Sequence, residues 1–257
     1  MTQYVVDAFT DRLFSGNQAA VCVVESWPED QLMQKIAVEN NFSETAFVCP
    51  EGEAWHLRWF TPGGEIDFCG HATLGTAFVL FSFFCQEQEE LKFITQVGEL
   101  TLYRQVDGIE MDFPAYRLNP VPVTDEMERA IGIRPKEAYM DRDLMVVLEE
   151  EQQVLNLCPD MENVKKLEGV LLAVTAPGRE SDCVSRVFAP KLAIPEDPVT
   201  GSAHCMIVPY WSAKLNKTEL DCEQASARSG RLKGRVCGNR VRITGQAVLF
   251  SESKLHV

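Results

Sequence analysis

The chain has 257 residues, 46% of them hydrophobic, and a formal net charge of −14. Such a composition buries a sizeable core and excludes disorder, and the length fits one large or two medium domains. Lys and Arg form no dense block, so neither nucleic acid nor an anionic membrane is an expected partner.

In chain order, Tyr4 to Phe9 reads as a strand, Leu13 to Asn17 as a turn and Ala19 to Val24 as a second strand. Pro28 opens a helix in which Leu32, Met33, Ile36 and Ala37 share a face, ending near Asn40 and Asn41. Phe42 to Cys49, Trp55 to Phe60, Leu91 to Gln96, Glu99 to Arg104 and Ile109 to Phe113 read as extended. The apolar run after Gly70-His71 reads as a buried helix, too short and too interrupted by Gly75, Thr76 and Ser82 to cross a bilayer. Beyond Pro114 the pattern restarts, with a helix from about Thr124 to Ile131 capped by Thr124. Strands follow near Asp143 to Leu148 and Gly169 to Thr175, then a helix from about Gly201 and a meander from Ala225 to Phe250.

Few helices against many antiparallel-looking strands predict an α+β fold. Arg58-Trp-Phe-Thr-Pro62 recurs as Arg186-Val-Phe-Ala-Pro190, half a chain length later. Each copy leads into a Gly-containing turn and an apolar run, which predicts two pseudo-symmetric lobes at 1–114 and 115–257, with the last strand returning to pack on the first. The nine cysteines are an odd, scattered set without a C-x-x-C pair, and the N-terminus lacks signal-peptide character. A reducing, cytoplasmic location is the expectation.

Three segments offer chemistry. Glu44 shares a strand face with Phe42, Ala46 and Val48, and a carboxylate on an apolar stripe is expected to have a raised pKa, suited to taking and returning a proton. Its alternative is an exposed or Arg-paired glutamate. Cys69-Gly70-His71 precedes the apolar helix, whose unpaired amides favour an anion. There His71 could relay a proton or simply cap the helix, and Cys69 could be an activated thiolate or a buried spectator. Glu196-Asp197-Pro198-Val199-Thr200-Gly201-Ser202 is the counterpart in the second half. It is expected to gather the Thr200, Gly201 and Ser202 amides into a second donor cluster, unless it is only an Asp-Pro turn before a Ser-capped helix. Phosphate-loop, dinucleotide, metalloprotease and nucleophile-elbow motifs are absent, and the spacing of four histidines and unpaired cysteines suggests no zinc site. No cofactor and no metal are expected.

Taken together, Asp7-Ala-Phe-Thr with Phe14-Ser-Gly-Asn17, Asn41-Phe-Ser-Glu-Thr-Ala-Phe47, Phe60-Thr-Pro62, Asp67-Phe-Cys-Gly-His-Ala-Thr-Leu-Gly75, Arg186-Val-Phe-Ala-Pro190 and Glu196-Asp-Pro-Val-Thr-Gly-Ser-Ala203 resemble the PhzF (phenazine biosynthesis) family of the diaminopimelate-epimerase-like fold. The resemblance implies two lobes, each a β-sheet wrapped around a central helix, with the active site between them. It also implies cofactor-free proton transfer. In the phenazine enzyme of this family a matching glutamate moves a proton during isomerisation of a dihydro-hydroxyanthranilate.

Carried over, Glu44 is the acid/base, His71 and Asp197 are polar partners, and Ser202 is a hydrogen-bond donor. Gly70, Thr200 and Gly201 hold a small anionic substrate by its carboxylate or oxyanion, and Asn17 orders the site near Glu44. Dimers occur among relatives, so a homodimer is also expected. Epimerases and racemases of this fold oppose two cysteines. Here Cys69 matches the first, while Pro198 stands at the place of the second and Cys205 lies seven residues beyond it. A one-base carboxylate mechanism is therefore favoured over a Cys69-dependent epimerase or lyase, or over a non-catalytic binding protein on the same fold.

Overall fold

A computed structural model describes residues Met1–Val257. The chain forms two compact units, Met1–Asp112 with Thr244–Val257, and Phe113–Ile243.

The first unit runs β1 (Thr2–Ala8), β2 (Asn17–Val23), α1 (Asp30–Asn40), β3 (Glu44–Glu51), β4 (Ala54–Thr61), β5 (Gly64–Ile66), α2 (Gly70–Val79), β6 (Glu90–Thr95), β7 (Gly98–Gln105) and β8 (Gly108–Pro114). Expected strands and helices are found here, with α1 starting at Asp30 rather than Pro28 and ending on Asn41 in the left-handed conformation. Pairing is mixed rather than antiparallel throughout: β2 runs parallel to β3 and β4 parallel to β6, while β1–β2, β3–β4 and β6–β7 are antiparallel.

β3 is buried from Glu44 to Cys49 without alternation, because both faces of its sheet are covered. Phe47 packs with Cys22, Phe60 and the Met33, Ile36 and Ala37 stripe of α1. Glu44, on the opposite face, turns towards α2, whose side chains from His71 to Ala77 are all buried.

The second unit contains β9 (Asn119–Val121), α3 (Asp125–Ile131), β10 (Glu137–Met140), β11 (Leu144–Val147), α4 (Glu151–Leu155), α5 (Met161–Val164), β12 (Leu172–Pro177), β13 (Cys183–Ala189), β14 (Ile194–Asp197), α6 (Gly201–Leu215), β15 (Glu219–Gln224), β16 (Gly230–Cys237) and the start of β17 (Arg240–Gly245). β18 (Ala247–Lys254) belongs to the first unit and pairs antiparallel with β1. Thr124 caps α3 by accepting the Met127 amide, as its sequence predicts.

The two-sided plan repeats. Val174, Val184 and Phe188 face a cluster that includes Met127, Val154 and Val164 of α3, α4 and α5. Thr175, of opposite parity, accepts the Trp211 indole N–H of α6 at 2.9 Å. A side chain at Gly234 would meet Val208 Cγ2 at 2.2 Å, so only glycine lets α6 lie this close to β16. Pro209 sits inside α6 and cannot bond the Cys205 carbonyl; the Tyr116 amide takes that carbonyl instead, at 2.9 Å. No helix is long and apolar enough to cross a membrane.

The recurrent Arg-x-Phe-x-Pro has a shared physical basis. Arg58 forks onto Glu65 with two 2.7 Å bonds and lies 5.2 Å over the Phe60 ring. Arg186 forks onto Glu196 at 2.7 and 3.0 Å and lies 5.1 Å over Phe188. In both, side-chain alternation puts the arginine and the phenylalanine two residues later on the outer-helix face. Arg58 then reaches Asp30 of α1, and Arg186 reaches the Val154 and Leu157 carbonyls at the end of α4.

Candidate active site

In the first unit, Asn17, Ser43, Glu44, Cys69 and His71 converge. Each comes from the edge of an element. Gly16 takes φ +67°, where a side chain would collide with the Ala8 carbonyl at 2.2 Å, and the Phe14 amide is held by Asp7 Oδ2 at 2.9 Å. This Phe-Ser-Gly turn delivers Asn17 as the first residue of β2. Glu44 opens β3, with Ala19 as its parallel neighbour. Cys69 is the N-cap of α2, and His71 is its second residue.

His71 Nε2 lies 3.0 Å from Glu44 Oε2 and 3.4 Å from Ser43 Oγ. Its Nδ1 lies 3.1 Å from the Asn17 side-chain amide and 3.5 Å from Cys69 Sγ. Glu44 and His71 are 7% and 6% exposed, so the pair is dry enough for its charges to act strongly on each other. Glu44 Oε2 is buried, with the His71 imidazole as its ion-pair partner.

The electrostatics correct the expected sign at Glu44 and favour the buried-spectator reading of Cys69. Burial alone pushes the Glu44 carboxyl up, but His71, with hydrogen bonds from His71, Ser43 and Cys69, outweighs it and holds the pKa below the ordinary value. Burial likewise opposes a charged His71, yet the Glu44 carboxylate, with the hydrogen bonds to Cys69 and Glu44, raises its pKa well above normal. Cys69 is not an activated thiolate. Burial first, and then the Glu44 charge, push its pKa up, so the thiol keeps its proton and Glu44 is the anion facing the imidazolium.

These shifts have opposite consequences for stability. The lowered Glu44 contributes stability above its unfolded pKa, lost as pH falls through the folded value. The raised His71 contributes stability below its unfolded pKa, lost as pH rises through the folded value.

Glu44, Cys69 and His71 also bring one potential ligand atom each within 4.8 Å of one another, a carboxylate, thiol and imidazole set that a zinc-like ion accepts. Sequence spacing did not reveal that convergence.

In the second unit Asp197 ends β14, Thr200 is the N-cap of α6, and Gly201 and Ser202 are its first two residues. The Thr200 hydroxyl donates to Asp197 Oδ2 at 2.6 Å. The three-amide donor cluster is corrected here: the Thr200 amide donates to Gln224 Oε1 at 2.8 Å and is already taken. Fully buried Gln224 also donates to the Asp197 carbonyl at 2.7 Å, bracing the turn from β15. Ser202 does not cap the helix; its Oγ accepts from Arg142 at 3.1 Å. Cys205 is buried on α6 with its thiol pushed up to about 12 by burial.

Gln224, Ser43 and Arg142 were missed in the sequence. A serine immediately before Glu44 was the one available hint, since the other two reach their partners only through the fold.

His204, one turn into α6, is wholly buried, with Nδ1 2.8 Å from the Thr200 carbonyl and Nε2 unpaired. Burial lowers its pKa to about 4 from 6.5, so the folded ring stays neutral while the unfolded ring takes up a proton in that window. Stability therefore falls as pH drops from 6.5 to about 4, by about 3 kcal/mol. In urea unfolding at both ends of the window, His204→Asn should lose most of this acid sensitivity.

Comparisons with known proteins agree on one family. The family model for phenazine biosynthesis-like proteins, PhzC-PhzF, matches residues 6–253. An uncharacterized isomerase of Pseudomonas aeruginosa is 46% identical over 253 residues, covering 98% of this chain and 97% of the relative. A PhzF-family crystal structure from Enterococcus faecalis superposes with a TM-score of 0.98 at 47% identity, covering 100% of this chain and 99% of the other. A probable proline racemase from Agrobacterium radiobacter superposes with a TM-score of 0.65 at 9% identity, covering 100% of this chain and 93% of the racemase, which shows the epimerase-type α+β fold.

Proposed function

This chain belongs to the phenazine biosynthesis-like PhzC-PhzF family, and from that premise we propose that it is a cytoplasmic, cofactor-independent isomerase that moves a proton on a small carboxylic acid. Several relatives carry the name isomerase. The observation that carries the mechanism is the buried Glu44–His71 pair at 3.0 Å. The nine free cysteines support the reducing location.

The ionised Glu44 is the base at rest. It takes a proton from a substrate carbon, and the electron pair left behind delocalises towards the substrate's carboxyl or carbonyl group. The Gly70 amide at the start of α2 stabilises the developing oxyanion. Protonated Glu44 no longer balances the His71 imidazolium, which drives prompt return of the proton to a second carbon. Asn17 fixes the imidazole, and Asp197 and Thr200 hold the second turn. The atoms balance: one C–H breaks, one forms, and the double bond moves between them.

The raised Cys69 pKa weighs against a thiol base, and the second half offers proline at position 198 where an opposed thiol would be required. The discriminating experiment follows deuterium entry from D₂O into small acids of a cell-extract metabolite pool. Cys69→Ser should retain most of the wild-type uptake, and Glu44→Gln should lose it. The opposite pattern would transfer the base role to the thiol.

A further inference from the structure

Arg142 lies just before β11, outside every motif that marks the family resemblance. Its guanidinium is fixed from three sides. Nε and Nη2 donate to Asp143 at 3.1 and 3.0 Å, Nη2 donates to Ser202 Oγ at 3.1 Å, and the Tyr116 ring centre lies 5.6 Å away. Asp143 is itself fully buried and accepts the Leu171 amide. A guanidinium has five N–H groups, of which these contacts use three. Both hydrogens on Nη1 make no bond within the protein, and the side chain is 39% exposed.

The same contact sets the role of Ser202. Because its oxygen accepts from Arg142, its own hydroxyl proton is left to donate elsewhere. An open guanidinium edge and a free hydroxyl donor therefore stand side by side at the start of α6. An arginine N–H and a hydroxyl can each take one oxygen of the same carboxylate, with the arginine supplying the charge. The fixed pose matters, since an arginine whose orientation is set beforehand loses little freedom on binding. If Arg142 only neutralised Asp143, neither the bond to Ser202 nor the open edge would be needed.

We propose that Arg142 anchors the substrate's carboxylate together with Ser202, and so selects acids over their neutral analogues. This rests on the proposed reading of the substrate as a small carboxylic acid. Arg142 is a recognition residue and takes no part in moving the proton.

Benzoate and benzamide, alike in size and different in charge, are suitable probes by ligand-observed NMR titration. Wild type should bind benzoate at least about tenfold more tightly than benzamide. Arg142→Gln should bring the ratio close to one. That variant strands buried Asp143 without its counter-charge, so Arg142→Gln combined with Asp143→Asn provides a version that removes both charges and keeps the fold. Arg142→Lys should retain part of the preference.

A folded double variant that still prefers benzoate tenfold would overturn the proposal, as would a wild type without preference. Glu44→Gln should keep the wild-type ratio. Deuterium uptake surviving in Glu44→Gln, while the Arg142 variants lose carboxylate preference, would remove the proposed proton transfer and leave the anchor standing. Uptake lost in Glu44→Gln with the ratio unchanged in the Arg142 variants would do the reverse.

Discussion

Arg186→Met should destabilise the protein by about 3 kcal/mol in urea unfolding. The arginine is 14% exposed and Glu196 22%, so the fork between them is largely withdrawn from water. Methionine fills the volume but leaves Glu196 without its partner and the Leu157 carbonyl without its arginine donor. It also ends the stacking over Phe188. Combining the change with Glu196→Leu should recover about half of the loss, because the stranded carboxylate goes while the Leu157 carbonyl still lacks its donor. A single variant within 1 kcal/mol of wild type would mean that the repeated arginine is dispensable to the second sheet.

Glu44→Gln should lower the catalytic rate by about 10³-fold, within the range that a positioned general base supplies, with little change in substrate affinity. Glutamine keeps the shape and the acceptor oxygen but cannot hold the proton. The pH profile distinguishes this from a structural loss. With Glu44 held below the ordinary carboxylate value, wild-type activity should persist as pH falls through the usual carboxylate range and fail only beneath it. His71→Gln removes the compensating charge and leaves burial to raise Glu44, so the acidic limb should move to higher pH. An unmoved limb in His71→Gln would separate Glu44's ionisation from the imidazole.

The fold was legible where local patterns act. The apolar run after His71 is a helix because nothing else buries that many neighbouring side chains, and Thr124 caps its helix through its own hydroxyl. Pairing direction was not legible, since β2 and β3 are parallel through a crossover that leaves no trace in either strand. The short helices α4 and α5 were also passed over, each being a turn or so of polar residues anchored by one buried valine.

At the site, the catalytic candidates were read from their turns, but their electrostatics were not. A carboxylate on an apolar strand predicts a raised pKa, and the actual sign follows from His71, which lies on another element. The Thr200 amide looked open for the same reason: Gln224 closes it from a strand that follows α6. The repeated Arg-x-Phe-x-Pro looked like a preface to the active-site turns. It is a clasp between each sheet and its outer helices, and the turns that follow it differ in chemistry: Cys69-Gly-His in one, Asp197-Pro in the other.

The central claim is that Glu44 moves a proton on a small acid, and its most direct test is deuterium labelling. Wild-type protein incubated in D₂O with a metabolite pool should introduce deuterium at carbon in a small carboxylic acid, and Glu44→Gln, folded and with unchanged melting temperature, should introduce none. Equal labelling by the two proteins would contradict the account.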